Sequence, residues 1–436
     1  MKFMNTEVNG NLISTLNKEF DFFMDSGDAS FPEKRRESFE KFKKLGFPTR
    51  RNEDWKYTGV NSFLNGGFSI EPENTHDANF SADDFHIPKL ECYEFFLVNG
   101  VLQNNNIELP SYIKLSSIKM ASSNDNASKA FGNDVDNDAA FAALNTALFK
   151  DGFLIEIDKN ASVDKPLHFI HYFSGKEKAF VQPRNMVIVN SGASLSLVES
   201  FVSQKENSVF INNLTEVNVH ENSFVDHYVL QNMEAGTQIV NQTDVSCIKG
   251  SVYNNYTFSL PGSELIRNNL HVHLNSSGSE AHLFGLYLGN SNQLIDNHSM
   301  VNHKYSHCDS NEIYKGVLLD NATGVFNGKI FVQHDAQKTN AFQQNNNLLL
   351  SKKAAINTKP QLEIFADDVK CSHGTTIGQL SGEALFYLKS RGLSDSSARA
   401  LLVNAFAFDV TDKIKIPELK EFIETLVAGY IPAENL

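Results

Sequence analysis

Three stretches of the chain carry residue types that could do metal chemistry. In Asp367-Asp368-Val369-Lys370-Cys371-Ser372-His373-Gly374, Cys371 and His373 stand two apart, so extended backbone turns both side chains the same way. A thiolate and an imidazole are both good ligands for iron or zinc. Two ligands are too few for a closed site, so a metal held here needs donors from another chain or from distant residues. The residues alone leave a second reading open: a small buried cysteine beside a hydrogen-bonded histidine. His271-Val272-His273, followed by Glu280 and His282, offers an H-x-H pair with a downstream carboxylate. The gap from His273 to Glu280 is long for such a site, and half-buried strand histidines with satisfied nitrogens are the preferred reading. His298, His303, His307 and Cys308 form the third group. On one regular strand 303 and 307 share a face while 298 and 308 point the other way, so a structural role is again preferred.

Other chemistries fit less well. Gly324-Val325-Phe326-Asn327-Gly328-Lys329-Ile330 has three residues between its glycines where a phosphate-binding loop requires four, and no Ser or Thr to hold magnesium. It reads as a turn among strands, and ATP binding by this chain is rejected. Asp367 and Asp368 are adjacent and would face opposite ways on a strand, so they make no catalytic carboxylate pair. A pair assembled from distant residues stays open.

The elements that must position these residues fall into three regions. Up to about Lys150, Leu12, Leu16, Phe20 and Phe23 recur at helical spacing, as do Phe39, Phe42 and Leu45, with Gly46 as a stop. A polar, turn-rich stretch runs from Ser62 to Asn137, and Phe141, Leu144, Ala147 and Leu148 predict one more helix. From about 151 to 366, short strands follow one another, such as Phe153–Ile157, Met186–Val189 and Leu270–Leu274, with Asn-rich turns between. Stacked asparagines there can pair their amides between layers. A sandwich, a barrel and a β-solenoid all fit, and the solenoid is favoured. Its end coils need covering, a need that flanking helices would meet. From 367 to 436 the chain is expected to be helical: Glu383–Arg391, then a helix capped by Ser394, then one opening at Pro417.

Composition bounds the rest. The 436 residues are 41% hydrophobic and 21% charged, with a formal net charge of −14. That argues for a globular chain and against nucleic acid as a general partner. No apolar run after Lys2 suggests a signal peptide, and none approaches the roughly 18 residues that span a bilayer. Four scattered cysteines, Cys92, Cys247, Cys308 and Cys371, fit a reducing cytoplasm.

Several blocks together resemble one known family. They are Tyr314-Lys315-Gly316-Val317-Leu318, Gly324–Ile330, Asp335-Ala336-Gln337-Lys338-Thr339, Asn347–Ser351, Thr358–Ile364, the Asp367–Gly374 run and Ala384–Gly392. Arg51-Asn52-Glu53-Asp54-Trp55-Lys56-Tyr57-Thr58 fits an R-x-E-x-W-[KR]-Y-T element near the start. This set resembles the SufB/SufD family of the SUF iron–sulfur cluster assembly system. Gly374 after His373, where the SufB branch tends to carry a carboxylate, and the chain length point to the SufD branch.

The resemblance implies a right-handed parallel β-helix between N-terminal and C-terminal helical domains (1–150, 151–366 and 367–436). It implies a non-catalytic scaffold that pairs with SufB and binds the ATPase SufC on the C-terminal helices, with a homodimer open for the isolated chain. Cys371 and His373 match positions where a transient cluster forms at the SufB interface, with no cofactor held tightly by this chain alone. Cys92, Cys247 and Cys308 inherit no role. Two rivals remain: a β-helix carbohydrate-active enzyme, and a cupin-like metalloprotein using His271, His273 and Glu280.

Overall fold

The computed structural model describes residues 4–26, 30–70, 85–103, 107–135, 139–174, 178–205 and 208–430, with side chains from residue 12 onward. Parts of the turn-rich stretch expected between Ser62 and Asn137 lie outside these residues.

The middle of the chain is a β-solenoid of about eight turns. Strands land alternately in two sheets. One sheet runs from Tyr93–Val98, edged by the antiparallel Val101–Leu102, through Leu167–Phe173 and six further strands to Lys370–Gly378; the other runs from Phe153–Ile157, edged by the antiparallel Ile113–Ser117, to Ala355–Thr358 and Gln361–Ile364. Successive coils pair in parallel, so a residue sits over its counterpart one coil earlier. Leu195, Val225, Tyr253, Ala281, Ser310, Ala341 and Cys371 form one such column. Alternate residues point inward, and the inner faces of both sheets share one core that includes Val225, Val245, Leu283 and Phe326.

Asparagine adds a polar spine. Asn185 donates to Asn213 at 3.2 Å, Asn213 to Asn241 at 2.8 Å, Asn241 to Asn268 at 3.4 Å and Asn268 to Asn297 at 3.0 Å. All five are buried. An amide carries both a donor and an acceptor, so a stack of them satisfies itself layer by layer. The Gly324–Lys329 segment lies within the strand Thr323–Val332. A Cβ on Gly328 would meet the Gln343 amide at 2.3 Å, so close interior packing explains that glycine.

The helices lie on the sheets' outer faces. Pro32–Leu45 ends at Gly46 with φ 65°, and Ala140–Leu148 is buried along its length. With Met4–Asp25 they pack on Phe180, Phe210 and Val240 of one sheet. The C-terminal helices Asp395–Thr411 and Pro417–Tyr430 cover Tyr228, Tyr256, Leu286 and Val317 of the other. Ser394 caps the first of these by accepting from the Ser397 N–H. Among the described residues no helix is long and apolar enough to cross a membrane.

Two expectations change. The flanking helices were expected to cover the solenoid's ends, but their apolar stripes seat on the outer faces, over Phe180 and Phe210 of one sheet and Tyr228 and Tyr256 of the other. The sheets also run past residues 151–366. Tyr93–Val98 joins Leu167–Phe173 in parallel at one end, and Lys370–Gly378 joins Asn340–Leu349 at the other. A strand is stabilised by the neighbour it pairs with, so the sheets extend as far as the register does.

Candidate functional site

The last coil is where Cys371 and His373 stand. Its strands are Ala355–Thr358 and Gln361–Ile364 on one sheet and Lys370–Gly378 on the other, and each lies at the end of its sheet. The Lys370 N–H donates to Thr339 O at 2.8 Å. Backbone direction alternates along a strand, so Cys371, His373, Thr375 and Ile377 turn theirs to the open edge. Phe365 and Ile377 are exposed beside it. A nine-residue bare edge is an unsatisfied template for another strand.

The two ligand candidates differ in setting. Cys371 stands over Ala341 and His373 over Gln343, so both belong to inward-facing columns. Cys371 is half-buried against Ala341, Ile330 and Ala366, and that burial raises its thiol pKa. His373 is exposed. No group of three ligand side chains that includes either one is found among the described residues. The chain thus offers two donors and leaves the rest of any coordination open.

Below His373 the interior turns polar. Its column continues through Gln343 to Glu312. The Gln343 amide donates to Glu312 Oε2 at 2.7 Å, and the Ser299 hydroxyl donates to Oε1. Burial pushes the Glu312 carboxyl up to about 7, against the pull of those two hydrogen bonds. Further in, Glu199 takes His171 at 2.9 Å and His227 at 2.8 Å. There burial opposes ionisation, yet the two histidines hold the carboxyl at about 2.

The R-x-E-x-W-K-Y-T element proves to be a clamp between the N-terminal helices and the solenoid. Arg267 lies over the Trp55 ring at 4.0 Å and donates to Asp54 O and to Asp296 Oδ2, both at 2.6 Å. Thr58 donates to the same Asp296 oxygen, and His298 Nε2 is 2.9 Å from the other. Glu53 pairs with Lys359 of the last coil. The cleft beside the clamp, about 730 Å³, is lined by Tyr57, His298, Lys359 and Ile377.

The remaining candidates do not converge. His271 and His273 share the strand Leu265–Leu274, whereas Glu280 opens a strand of the other sheet and faces His282 at 3.3 Å. His303 is buried with Nε2 2.9 Å from Ser310 Oγ. The assumption that His303 and His307 share a strand fails, because the strand ends at His303 and His307 sits in a turn with φ 59°. Cys247 and Cys308 belong to the apolar core.

Residues 171–406 match the family described as SUF system FeS cluster assembly, SufBD core domain, and residues 8–169 match the SufBD protein N-terminal region. The chain belongs to the SufBD family. An iron–sulfur cluster assembly SufBD family protein of Synechocystis sp. is 31% identical over 90% of this chain and 89% of its own length. The iron–sulfur cluster assembly protein SufD of Escherichia coli is 27% identical over 89% of this chain and 90% of its own. A chloroplastic protein of Arabidopsis thaliana is 28% identical over 91% of this chain. Membership makes this a component of SUF iron–sulfur cluster assembly and sets aside the carbohydrate-active and cupin-like readings.

Proposed function

We propose that this chain is a non-catalytic scaffold subunit, of SufD type, that pairs with a SufB-type subunit through its bare last coil. The observation that carries this reading is the open edge Lys370–Gly378 with Cys371 and His373 upon it. Pairing would satisfy the edge and bring the partner's donors beside a thiol and an imidazole that have no third ligand among the described residues. Iron and sulfide are then cargo held across the interface, and the chain alone keeps no iron–sulfur cluster. When no partner is present, the same edge favours a second copy of this chain.

The C-terminal helices suit a second partner, the ATPase SufC. Gly382–Ser390 has no buried residue, and Phe386, Tyr387, Leu401 and Phe408 are exposed on it and its neighbour. Hiding one such side chain is worth roughly 1.5–3 kcal/mol. ATP hydrolysis belongs to that partner, since this chain's glycine-rich segment is a strand. The net charge of −14 disfavours nucleic acid, and a cytoplasmic setting fits the four unpaired cysteines.

The edge is tested by Thr375→Pro. Thr375 turns its N–H to the open side, so proline removes a donor from the interface while sparing the bonds to Asn340–Leu349. Co-expressed with SufB and SufC subunits, the variant should lose SufB capture, retain SufC capture and melt near the wild-type temperature. Wild-type capture of SufB would reject the edge as the pairing surface.

A further inference from the structure

At the opposite end of the solenoid, a second set of donor atoms converges on the outer face of the first coil. Glu94 and His168 are register partners on the parallel strands Tyr93–Val98 and Leu167–Phe173. Cys92 precedes Glu94 by two residues, so extended backbone gives both the same face. One ligand atom from each of Cys92, Glu94 and His168 lies within 4.8 Å of the other two.

We propose that Cys92, Glu94 and His168 bind one zinc-class divalent ion. A thiolate, a carboxylate and an imidazole form a mixed sulfur, oxygen and nitrogen set of the kind zinc accepts in tetrahedral sites. The ring of His168 is already oriented. It is fully buried, its Nε2 lies 2.9 Å from Ser200 Oγ, and its Nδ1 faces Glu94 Oε2 at 3.2 Å. A ligating histidine needs such an outer partner for its second nitrogen, and the Ser200 hydroxyl can accept from Nε2–H. On the solvent side, His86 Nδ1 stands 2.6 Å from Glu94 Oε1 and steadies the carboxylate from outside. The fourth position is left to water on that exposed side. On binding, the Cys92 S–H bond breaks, a zinc–sulfur bond forms and the proton leaves to solvent.

The ion would fasten one segment to the sheet. Between His86 and Cys92 the chain crosses the outer face, where Ile87 packs in the cluster that includes Val198, Tyr228 and Val403. Lys89 reaches Glu421 of the last helix at 3.3 Å. A metal tie at Cys92 and Glu94 would hold this crossing under the C-terminal helices, separate from Cys371 and His373 and independent of SufB pairing.

The test uses the full chain carrying Cys371→Ser, stripped with a chelator and then equilibrated with Zn²⁺ or Co²⁺ alone. Expected are one zinc per chain, a higher melting temperature with zinc, and a near-ultraviolet thiolate-to-cobalt charge-transfer band. Adding Cys92→Ser should abolish the band and weaken zinc at least about tenfold, and Glu94→Gln should weaken zinc while keeping the band. Failure of the Cys371→Ser chain to take up zinc, or a cobalt spectrum without a thiolate band, overturns the proposal whether or not the further variants fold. So does zinc affinity unchanged by Cys92→Ser.

Discussion

Replacing Glu312 by glutamine should stabilise the protein, and increasingly so as pH rises. In the folded chain Glu312 is fully buried and its carboxyl is pushed from 4.5 up to about 7. At about 1.4 kcal/mol per tenfold, that displacement corresponds to about 3 kcal/mol. The folded carboxyl keeps its proton up to about 7 and the unfolded one only to about 4.5. Between those values the folded state binds more protons, so stability is full at the acid end and falls as pH rises. Above about pH 7 the whole ~3 kcal/mol is lost. Glutamine does not titrate and nearly preserves the shape. Its amide can be received by Gln343, whose Oε1 is buried without a partner among the described residues, once that side chain turns over. Thermal melts of wild type and Glu312→Gln from pH 4.5 to 8 read the effect. The two should melt together at the acid end, and the variant should lead by a few degrees at pH 8. A difference independent of pH, or a variant that melts lower throughout, would refute the reasoning.

Three further outcomes follow from particular contacts. Asn241→Ala removes the middle rung of the amide ladder, and with it the buried hydrogen bonds from Asn213 and to Asn268, so it should cost about 1–3 kcal/mol, read as a lowered melting temperature; an unchanged melt would deny the ladder a stabilising role. Arg267→Ala leaves the buried Asp296 carboxylate without its cation and should cost about 3–5 kcal/mol, with limited proteolysis freeing the N-terminal helices sooner; a wild-type digestion pattern would show that the clamp does not hold them. Phe386→Asp should abolish SufC capture while leaving the melting temperature unchanged, because that ring touches solvent in this chain; full capture would move the docking surface elsewhere.

How much of this was legible depended on whether the signal was local. Helix periodicity and caps are local, and Gly46, Ser394 and Pro417 stand where their residue types suggest. The solenoid was legible as strand density with Asn-rich turns, and the predicted amide stacking is present from Asn185 to Asn297. Its period escaped the eye because counterparts lie 27 to 32 residues apart and change type from coil to coil, as the column from Leu195 to Cys371 does. Pairings across that register carry no local mark. Nothing beside Glu94 names His168, and nothing beside Trp55 names Arg267 and Asp296. Parity worked for Cys371 and His373, which share one strand, and failed for His303 and His307, which a turn divides.

The central claim is that this chain supplies part of a cluster-assembly site that its partner completes. It is tested most directly by iron and sulfide per complex after anaerobic isolation with SufB and SufC subunits, comparing wild type with His373→Ala and checking subunit stoichiometry on the same samples. His373 is exposed in the isolated chain, so the substitution should leave assembly intact. The account predicts an intact complex with markedly less iron and sulfide. An intact His373→Ala complex with wild-type iron and sulfide would contradict it and leave His373 a strand residue at a bare edge.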